Sequence, residues 1–273
     1  MTINAHSKLN LSLRILGKRE DGFHGIESLM VPIELHDTLD VKVSESGPHS
    51  MTCSDPSVPV DEKNLVLRAA ALFQEKLERP FGFTAHLEKR IPHGAGLGGG
   101  SSDAASTLCA LNALLAAHFT EDTLRAMALQ LGSDIPFFIN ARPTWARGRG
   151  ELLEPAPGIP SLPILLLKPP FGVPTPWAYK RWSELQARGE EQSIDNITLV
   201  NDMEPPVFEK YLLLPTMKSW LLKQSGVRAA MMSGSGSTIF AVLQTPELGA
   251  HLAQSAKSEF GETLWTWNGS TIS

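Results

Sequence analysis

The chain has 273 residues, of which 42% are hydrophobic and 19% charged, and its net charge is −5. That length buries a full core in one large domain or two smaller ones, and the composition excludes a disordered chain. The acidic balance and the absence of any Lys/Arg-rich run exclude a nucleic-acid partner of the basic-faced kind, while one or two cations still suffice for a phosphate pocket.

The first residues, Met1 to Lys8, lack a charged segment followed by an apolar one, so no signal peptide is expected. No segment reaches the apolar length of about 20 residues that spans a bilayer. A cytoplasmic protein without a membrane partner is the expectation. Leu9, Leu11, Leu13 and Ile15 alternate as in a half-buried strand, and a polar turn over residues 17–25 leads to a β-rich stretch over 26–43. Cys53 and Cys109 have neither CxxC nor Cys/His ligand spacing, so no structural zinc or disulfide framework is expected.

Leu65, Ala69, Leu72, Phe73 and Leu77 repeat at helical spacing behind Asp61. Phe83, Ala85, Leu87 and Ile91 mark another strand, which runs into a glycine-rich loop over 92–102. A helix is predicted over 103–117, where Cys109 reads as a buried thiol, and a capped helix over 120–131 is closed by Gly132. The proline- and glycine-punctuated residues 142–163 read as a domain connection. Beyond it the pattern predicts strands at 164–167, 228–232, 238–243 and 264–267, and helices at 177–186, 207–213, 217–224 and 246–260. Strands that alternate in polarity favour antiparallel sheets with helices on one side, an α+β arrangement.

The loop carries the chemistry. Pro92, His93, Gly94, Ala95, Gly96, Leu97, Gly98, Gly99, Gly100, Ser101 and Ser102 follow a strand and open a helix. Glycines let backbone N–H groups turn inward and let a ligand approach closely. The helix start adds orphan donors and the positive end of its dipole. A charge-assisted hydrogen bond to phosphate contributes about 1.5–3 kcal/mol and the dipole about 0.3–1 kcal/mol, so the amides dominate and the loop needs no lysine of its own. The Gly-Lys-Ser/Thr of a Walker A loop is missing. Residues 94–99 do satisfy GxGxxG. A dinucleotide fold, however, wants a buried parallel strand before that motif and an acid closing a second strand. Here the strand carries His86, Glu88, Lys89 and Arg90, and the candidate acids Glu121 and Asp122 sit at a helix start.

Three separated motifs resemble those of the GHMP kinases: Lys8-Leu9-Asn10-Leu11, the loop 92–102 followed by Asp103-Ala104-Ala105, and Met232-Ser233-Gly234-Ser235-Gly236-Ser237-Thr238. Arg19 to His24, Gly132 to Phe138, Gly148 to Glu151 and Thr175 to Tyr179 narrow the resemblance to the branch whose acceptor is a small-molecule cytidine diphosphate. The resemblance spans residues 6–243. It implies an N-terminal α+β domain (1–155), a ferredoxin-like C-terminal domain (156–273) and an active site in the cleft between them. Two departures stand out: Phe23 occupies a position that is often Tyr in the family, and His6-Ser7 replaces a commoner Pro-Ala.

ATP and Mg²⁺ are the cofactors that the resemblance implies, with 92–102 as the ATP loop. No carboxylate is assigned to the magnesium, for which the ATP phosphates supply most ligands. Asp134 is the candidate base, in a position after a helix end and before an apolar run where partial desolvation would raise its basicity. By itself an Asp just ahead of proline is more often an N-cap or turn residue, and the resemblance reverses that reading. Lys8 is implied to hold Asp134 ionised and to stabilise developing charge, whereas its strand position alone favours a solvent-facing lysine. Phe23 and Tyr179 are expected to stack on the faces of the cytosine, with His24 at its edge. Asn10 is expected at the substrate, and Ser101 and Ser102 act either as helix caps or as hydroxyl ligands. Another GHMP specificity, a silent nucleotide-binding module and a Rossmann oxidoreductase are the competing functional readings.

Overall fold

The alternating run around Leu9–Ile15 forms β1 (Thr2–Lys18), which turns back into β2 (His24–Ser44) in a computed structural model that describes residues 1–273. The chain divides into two units. Unit 1 holds Met1–Ser7, Leu35–Pro92 and Gly98–Ala141; unit 2 holds Lys8–Glu34, His93–Leu97 and Arg142–Ser273. Both β1 and β2 therefore contribute residues to each unit, as does the glycine loop.

In unit 1, β3 (His49–Cys53), α1 (Leu65–Leu77), β4 (Gly82–Glu88), α2 (Gly99–Leu114) and α3 (Glu121–Leu131) follow one another. β4 pairs antiparallel with β2, from Thr38 opposite Glu88 to Ser44 opposite Gly82, and parallel with β3. The cap of α1 is Asn64 rather than Asp61: Asn64 Oδ1 accepts the Val66 amide at 2.9 Å, while Asp61 accepts the Lys63 amide in the preceding turn. The expected cap of α3 is present, with the Thr123 amide donating to Thr120 Oγ1 at 3.2 Å. Phe73, Phe81 and Phe83 are fully buried, each worth about 1.5–3 kcal/mol of apolar transfer. Phe73 meets Phe119 edge-on at 5.3 Å. Cys109 is half-buried on α2, and burial, followed by the nearby Glu121 charge, pushes its thiol up to about 11.

In unit 2, residues 142–163 do not form a bare connection: they contain β5 (Thr144–Gly148) and β6 (Leu152–Pro155). β5 pairs antiparallel with β2, Ile26 opposite Gly148 through Met30 opposite Thr144, and β6 pairs with β5. The elements that follow are β7 (Pro163–Lys168), α4 (Thr175–Leu185), β8 (Gln192–Ile194), β9 (Ile197–Asn201), α5 (Glu204–Lys210), α6 (Leu213–Leu222), β10 (Val227–Met232), β11 (Ile239–Leu243), α7 (Leu248–Phe260) and β12 (Trp265–Ser270). β9 joins β1 in parallel, placing Ser12 opposite Val200 and Leu13 opposite Asn201. The expected antiparallel sheets thus contain two parallel pairs, β3–β4 and β1–β9.

The last four long strands make a separate antiparallel sheet in the order β10-β11-β7-β12. A β-α-β-β-α-β run laid out in that order is the ferredoxin-like arrangement. Leu165, Leu167, Ala230, Met232, Ile239 and Ala241 from this sheet pack with Leu214, Met217, Leu221, Leu252 and Ala256 from its helices. No helix is long and apolar enough to cross a membrane.

Candidate active site

Lys8 is 4% exposed, so the solvent-facing alternative for this strand lysine is excluded. Its ammonium donates to the Gly96 carbonyl at 2.9 Å and to Asn10 Oδ1 at 2.5 Å, and its backbone N–H donates to Leu97 O at 3.0 Å. Asn10 is oriented from behind: its Nδ2 donates to Ser28 Oγ at 2.8 Å, and that hydroxyl donates to Ser12 O at 2.6 Å. The chain thereby brings a buried positive charge and a fixed amide onto the carbonyl side of the glycine loop, though neither residue belongs to that loop.

The loop is also tied to the second glycine motif. Ser233 Oγ donates to Gly96 O at 3.0 Å, and the Thr238 amide donates to Ala95 O at 3.2 Å. The approach at Gly96 is so close that a Cβ there would lie 2.2 Å from the Ser233 carbonyl oxygen, and its φ of +76° is unfavourable for any side chain. Residues 233–238 are fully or nearly fully buried and form the tight link between β10 and β11, whose Met232 and Ile239 pair antiparallel.

Further along the loop, in unit 1, Gly98 is the N-cap of α2 and has no side chain to cap with. The first helical bond runs from the Ser102 amide to Gly98 O at 2.9 Å, so the Gly99, Gly100 and Ser101 amides precede the internal bonding of the helix. Ser101 and Ser102 lie inside the first turn, which removes them as N-caps.

The start of α2 is fixed by a buried ionic group. Lys89 donates to Asp103 Oδ2 at 2.9 Å and to Asp37 Oδ2, while Asp37 Oδ1 accepts the Arg90 and Ile91 amides at 2.6 and 2.8 Å. Asp103 Oδ1 is buried without a partner. Burial raises the Asp103 carboxyl to about 7; Lys89 lowers it and Asp37 raises it. The folded chain therefore retains a proton that an unfolded aspartic acid, at 3.8, has lost. By linkage this carboxyl makes the fold weaken as pH rises from about 4 through 7. Asp103→Asn carries no such proton. Its melting temperature is expected to gain on that of the wild type between pH 5 and pH 8.5, and a difference independent of pH across that range contradicts the assignment.

Asp134, in unit 1, stands between α3 and a short 3₁₀ turn (Ile135–Ile139), at its N-cap position but without a capping bond from its side chain. It is exposed, so the expected partial desolvation is not supplied by the chain itself. Its carboxylate makes no capping bond, although the residue does occupy the turn ahead of Ile135 that the turn alternative describes.

At the other end of β1 and β2, the residues expected at the cytosine are arranged differently from the expected sandwich. His24 stacks on Tyr179 with ring centroids 5.2 Å apart, stands edge-on to Trp182 at 5.7 Å, and shares a 2.7 Å hydrogen bond between Nε2 and Ser183 Oγ. Burial, with Lys18 adding to it, lowers the His24 pKa, so the ring is neutral at physiological pH. Phe23 is exposed, and the Arg149 guanidinium lies 4.8 Å from its ring centroid. The structure thus joins His24 to Tyr179 and leaves Phe23 paired with Arg149.

Ser28 and Ser183 complete these arrangements from outside the motifs, whereas Arg149 belongs to the Gly148–Glu151 stretch. Ser183 carried a signal, since it lies one helical turn beyond Tyr179. Ser28 carried none, because a serine inside an apolar strand does not announce its partner.

The sequence pattern of the GHMP kinases N terminal domain matches residues 64–142, and that of the GHMP kinases C terminal domain matches residues 180–262. The chain belongs to the GHMP kinase family and is a small-molecule kinase. It is 42% identical over 267 residues to a 4-diphosphocytidyl-2-C-methyl-D-erythritol kinase of Methylacidiphilum infernorum, covering 96% of this chain and 93% of that one. A crystal structure of 4-(cytidine 5'-diphospho)-2C-methyl-D-erythritol kinase matches all of both chains with a TM-score of 0.84 and 35% identity. A homoserine kinase from Cytophaga hutchinsonii shares the fold, with a TM-score of 0.71 at 18% identity, covering 100% of this chain and 94% of that one.

Proposed function

We propose that the chain transfers the γ-phosphate of ATP to the 2-hydroxyl of 4-diphosphocytidyl-2-C-methyl-D-erythritol, giving ADP and the 2-phospho product. The observation that carries the chemistry is the buried Lys8 ammonium on the Gly96 carbonyl, which provides the glycine loop with the cation that its own sequence lacks. The stacked His24–Tyr179 pair supports a nucleobase-bearing acceptor over homoserine or mevalonate, which have no ring to place against it.

In this reading residues 1–155 are the N-terminal kinase domain and 156–273 the C-terminal one. The loop 92–102 holds the triphosphate, with the α2 amides on its oxygens. The acceptor oxygen attacks the γ-phosphorus in line, the bond from that phosphorus to the β,γ-bridging oxygen breaks, and ADP leaves. Asp134 orients the hydroxyl and receives its proton. Lys8 stabilises the charge that builds on the transferring group, and Asn10 positions the acceptor. Phe23, His24 and Tyr179 hold the cytidine.

The donor set fits magnesium only as Mg-ATP, since no three His, Cys, Asp or Glu side chains gather at one point. The Ser101 and Ser102 hydroxyls are the side-chain oxygens that the loop offers it, and the ion supplies neutralisation of phosphate charge. We assign the reaction to the cytoplasm, where both substrates are dissolved, as a step of the non-mevalonate isoprenoid route.

The test is ADP release by the purified protein from Mg-ATP with the cytidine-bearing acceptor, homoserine or mevalonate. Release is expected only with the first. Release with either of the others, and none above background with the first, overturns the reading.

A further inference from the structure

Behind the second glycine motif lies a segment that the chemistry above does not use, Asn201-Asp202-Met203-Glu204, running from the last residue of β9 to the first of α5. Asn201, Asp202 and Met203 are completely buried and Glu204 is 3% exposed. Three buried polar residues within four positions are costly unless each is fully bonded, and here each bond has an identifiable target.

Asn201 Nδ2 donates to Met232 O at 2.7 Å and to Gly234 O at 2.8 Å, while its Oδ1 accepts the Met203 amide at 2.9 Å. Glu204 Oε1 accepts the Met232 amide at 2.9 Å, and its Oε2 is held by the buried Lys218 at 2.7 Å. Asp202 accepts from the Ile15 amide at 2.9 Å, the Gly189 amide at 3.0 Å and Arg188 at 2.7 Å. The segment therefore grips two things: β1, the strand that carries Lys8 and Asn10, and the backbone that leads into Ser233-Gly234.

What it grips sits on the reacting side. A Cβ on Gly234 would stand 3.3 Å from Asn10 Oδ1, 3.4 Å from Gly96 O and 3.5 Å from Lys8 Nζ. Ser233, one residue earlier, donates to that same Gly96 carbonyl. The Gly234 carbonyl faces Asn201 on one side of the loop, while Lys8, Asn10 and Gly96 lie close to its Cα. A loop shift of even 1 Å would carry Ser233 off Gly96 and change what surrounds the Lys8 ammonium.

We propose that Asn201 is a positioning residue of the kinase, whose side-chain amide locks the 232–234 backbone so that Ser233 fixes Gly96 and the Lys8–Asn10 pair keeps its place. The proposal rests on the kinase reading. Asn201 touches neither substrate. It acts through two carbonyls that only a side chain with two N–H donors satisfies together, and Glu204 with Lys218 secures the amide of Met232 from the other side.

Asn201→Asp keeps the size and removes both donors. With the folded fraction checked by circular dichroism, kcat is expected to fall about 10²-fold, the cost of a displacement near 1 Å, with KM for each substrate changed by less than about fivefold. A purely structural defect lowers the active fraction and the melting temperature without that split in the surviving enzyme. Hydrogen exchange in the absence of substrates is expected to speed up at the amides of 233–238 while the α7 amides stay as in the wild type.

A folded N201D with wild-type kcat, or with unchanged exchange over 233–238, overturns the proposal. If N201D does not fold, Ser233→Ala, which cuts only the link to Gly96, carries the test: kcat is expected to fall about tenfold, and an unchanged kcat overturns the clamp. The exchange measurement needs no turnover, so it separates a failed clamp from a failed kinase reading, which shows instead as wild-type protein without ADP release.

Discussion

Asp134→Asn is expected to lower kcat by roughly 10²–10⁴-fold, the usual contribution of a positioned general base, while shifting the melting temperature by no more than about 2 °C. Both halves follow from where the residue sits. Asparagine keeps the shape and can still accept a hydrogen bond from the acceptor hydroxyl, but it cannot take the proton. The stability half rests on Asp134 being exposed and bearing no helix cap, so its charge supports nothing in the fold. Steady-state rates at saturating substrates, paired with calorimetry, check both. A near-normal rate would remove Asp134 from the mechanism while leaving the kinase assignment standing. A large loss of stability would show instead that its role is structural.

Gly96→Ala is expected to be the most damaging single-methyl change in the loop. The added carbon would lie 2.2 Å from Ser233 O and 3.0 Å from Gly236 O, both backbone atoms that cannot swing aside. The positive φ adds a cost of about 1–2 kcal/mol for any side chain, and overpacking about 1–3 kcal/mol more. The two glycine motifs must part, Ser233 must leave the Gly96 carbonyl, and Lys8 loses the acceptor that places it. Activity is expected to drop at least about 10²-fold, together with a lower melting temperature. Gly94→Ala is the control for the clash: it carries a similar positive-φ cost at +63°, but its Cβ would meet nothing nearer than Gly172 Cα at 4.0 Å. Equal effects in the two variants would refute the interlocked-loop account.

Much of this site was legible from residue order, because its parts are local. A glycine run between strand and helix reads as a phosphate cradle wherever it occurs, and the helix over 120–131 announces both its cap and its stop. What the sequence hides is distance. Lys8 on its strand reads as a surface lysine until its partner Gly96, 88 residues away, is known. His24 and Ser183 are separated by 159 residues, so the expected Phe23–Tyr179 sandwich had no means of showing that His24 itself stacks on Tyr179.

The two short strands within 142–163 escape the pattern for a definite physical cause. Pro143 stands just before β5, Pro155 ends β6 and Pro163 opens β7, so these prolines punctuate short strands at positions where a missing N–H does no harm. Similarly, β8 and β9 are only three and five residues long, too short for periodicity to register, although β9 sets the parallel pairing with β1. Asp61 and Asn64 both precede α1 and both are good capping residues, so residue type alone does not rank them.

The most direct test of the central claim is phosphorus NMR of the reaction mixture after incubating the purified protein with Mg-ATP and 4-diphosphocytidyl-2-C-methyl-D-erythritol. The account predicts one new phosphomonoester resonance appearing in step with ADP, coupled to no proton on its ester carbon because the 2-position is fully substituted, with the diphosphate resonances of the acceptor retained. A spectrum in which ATP stays intact, or in which the γ-phosphate appears only as inorganic phosphate, would contradict it.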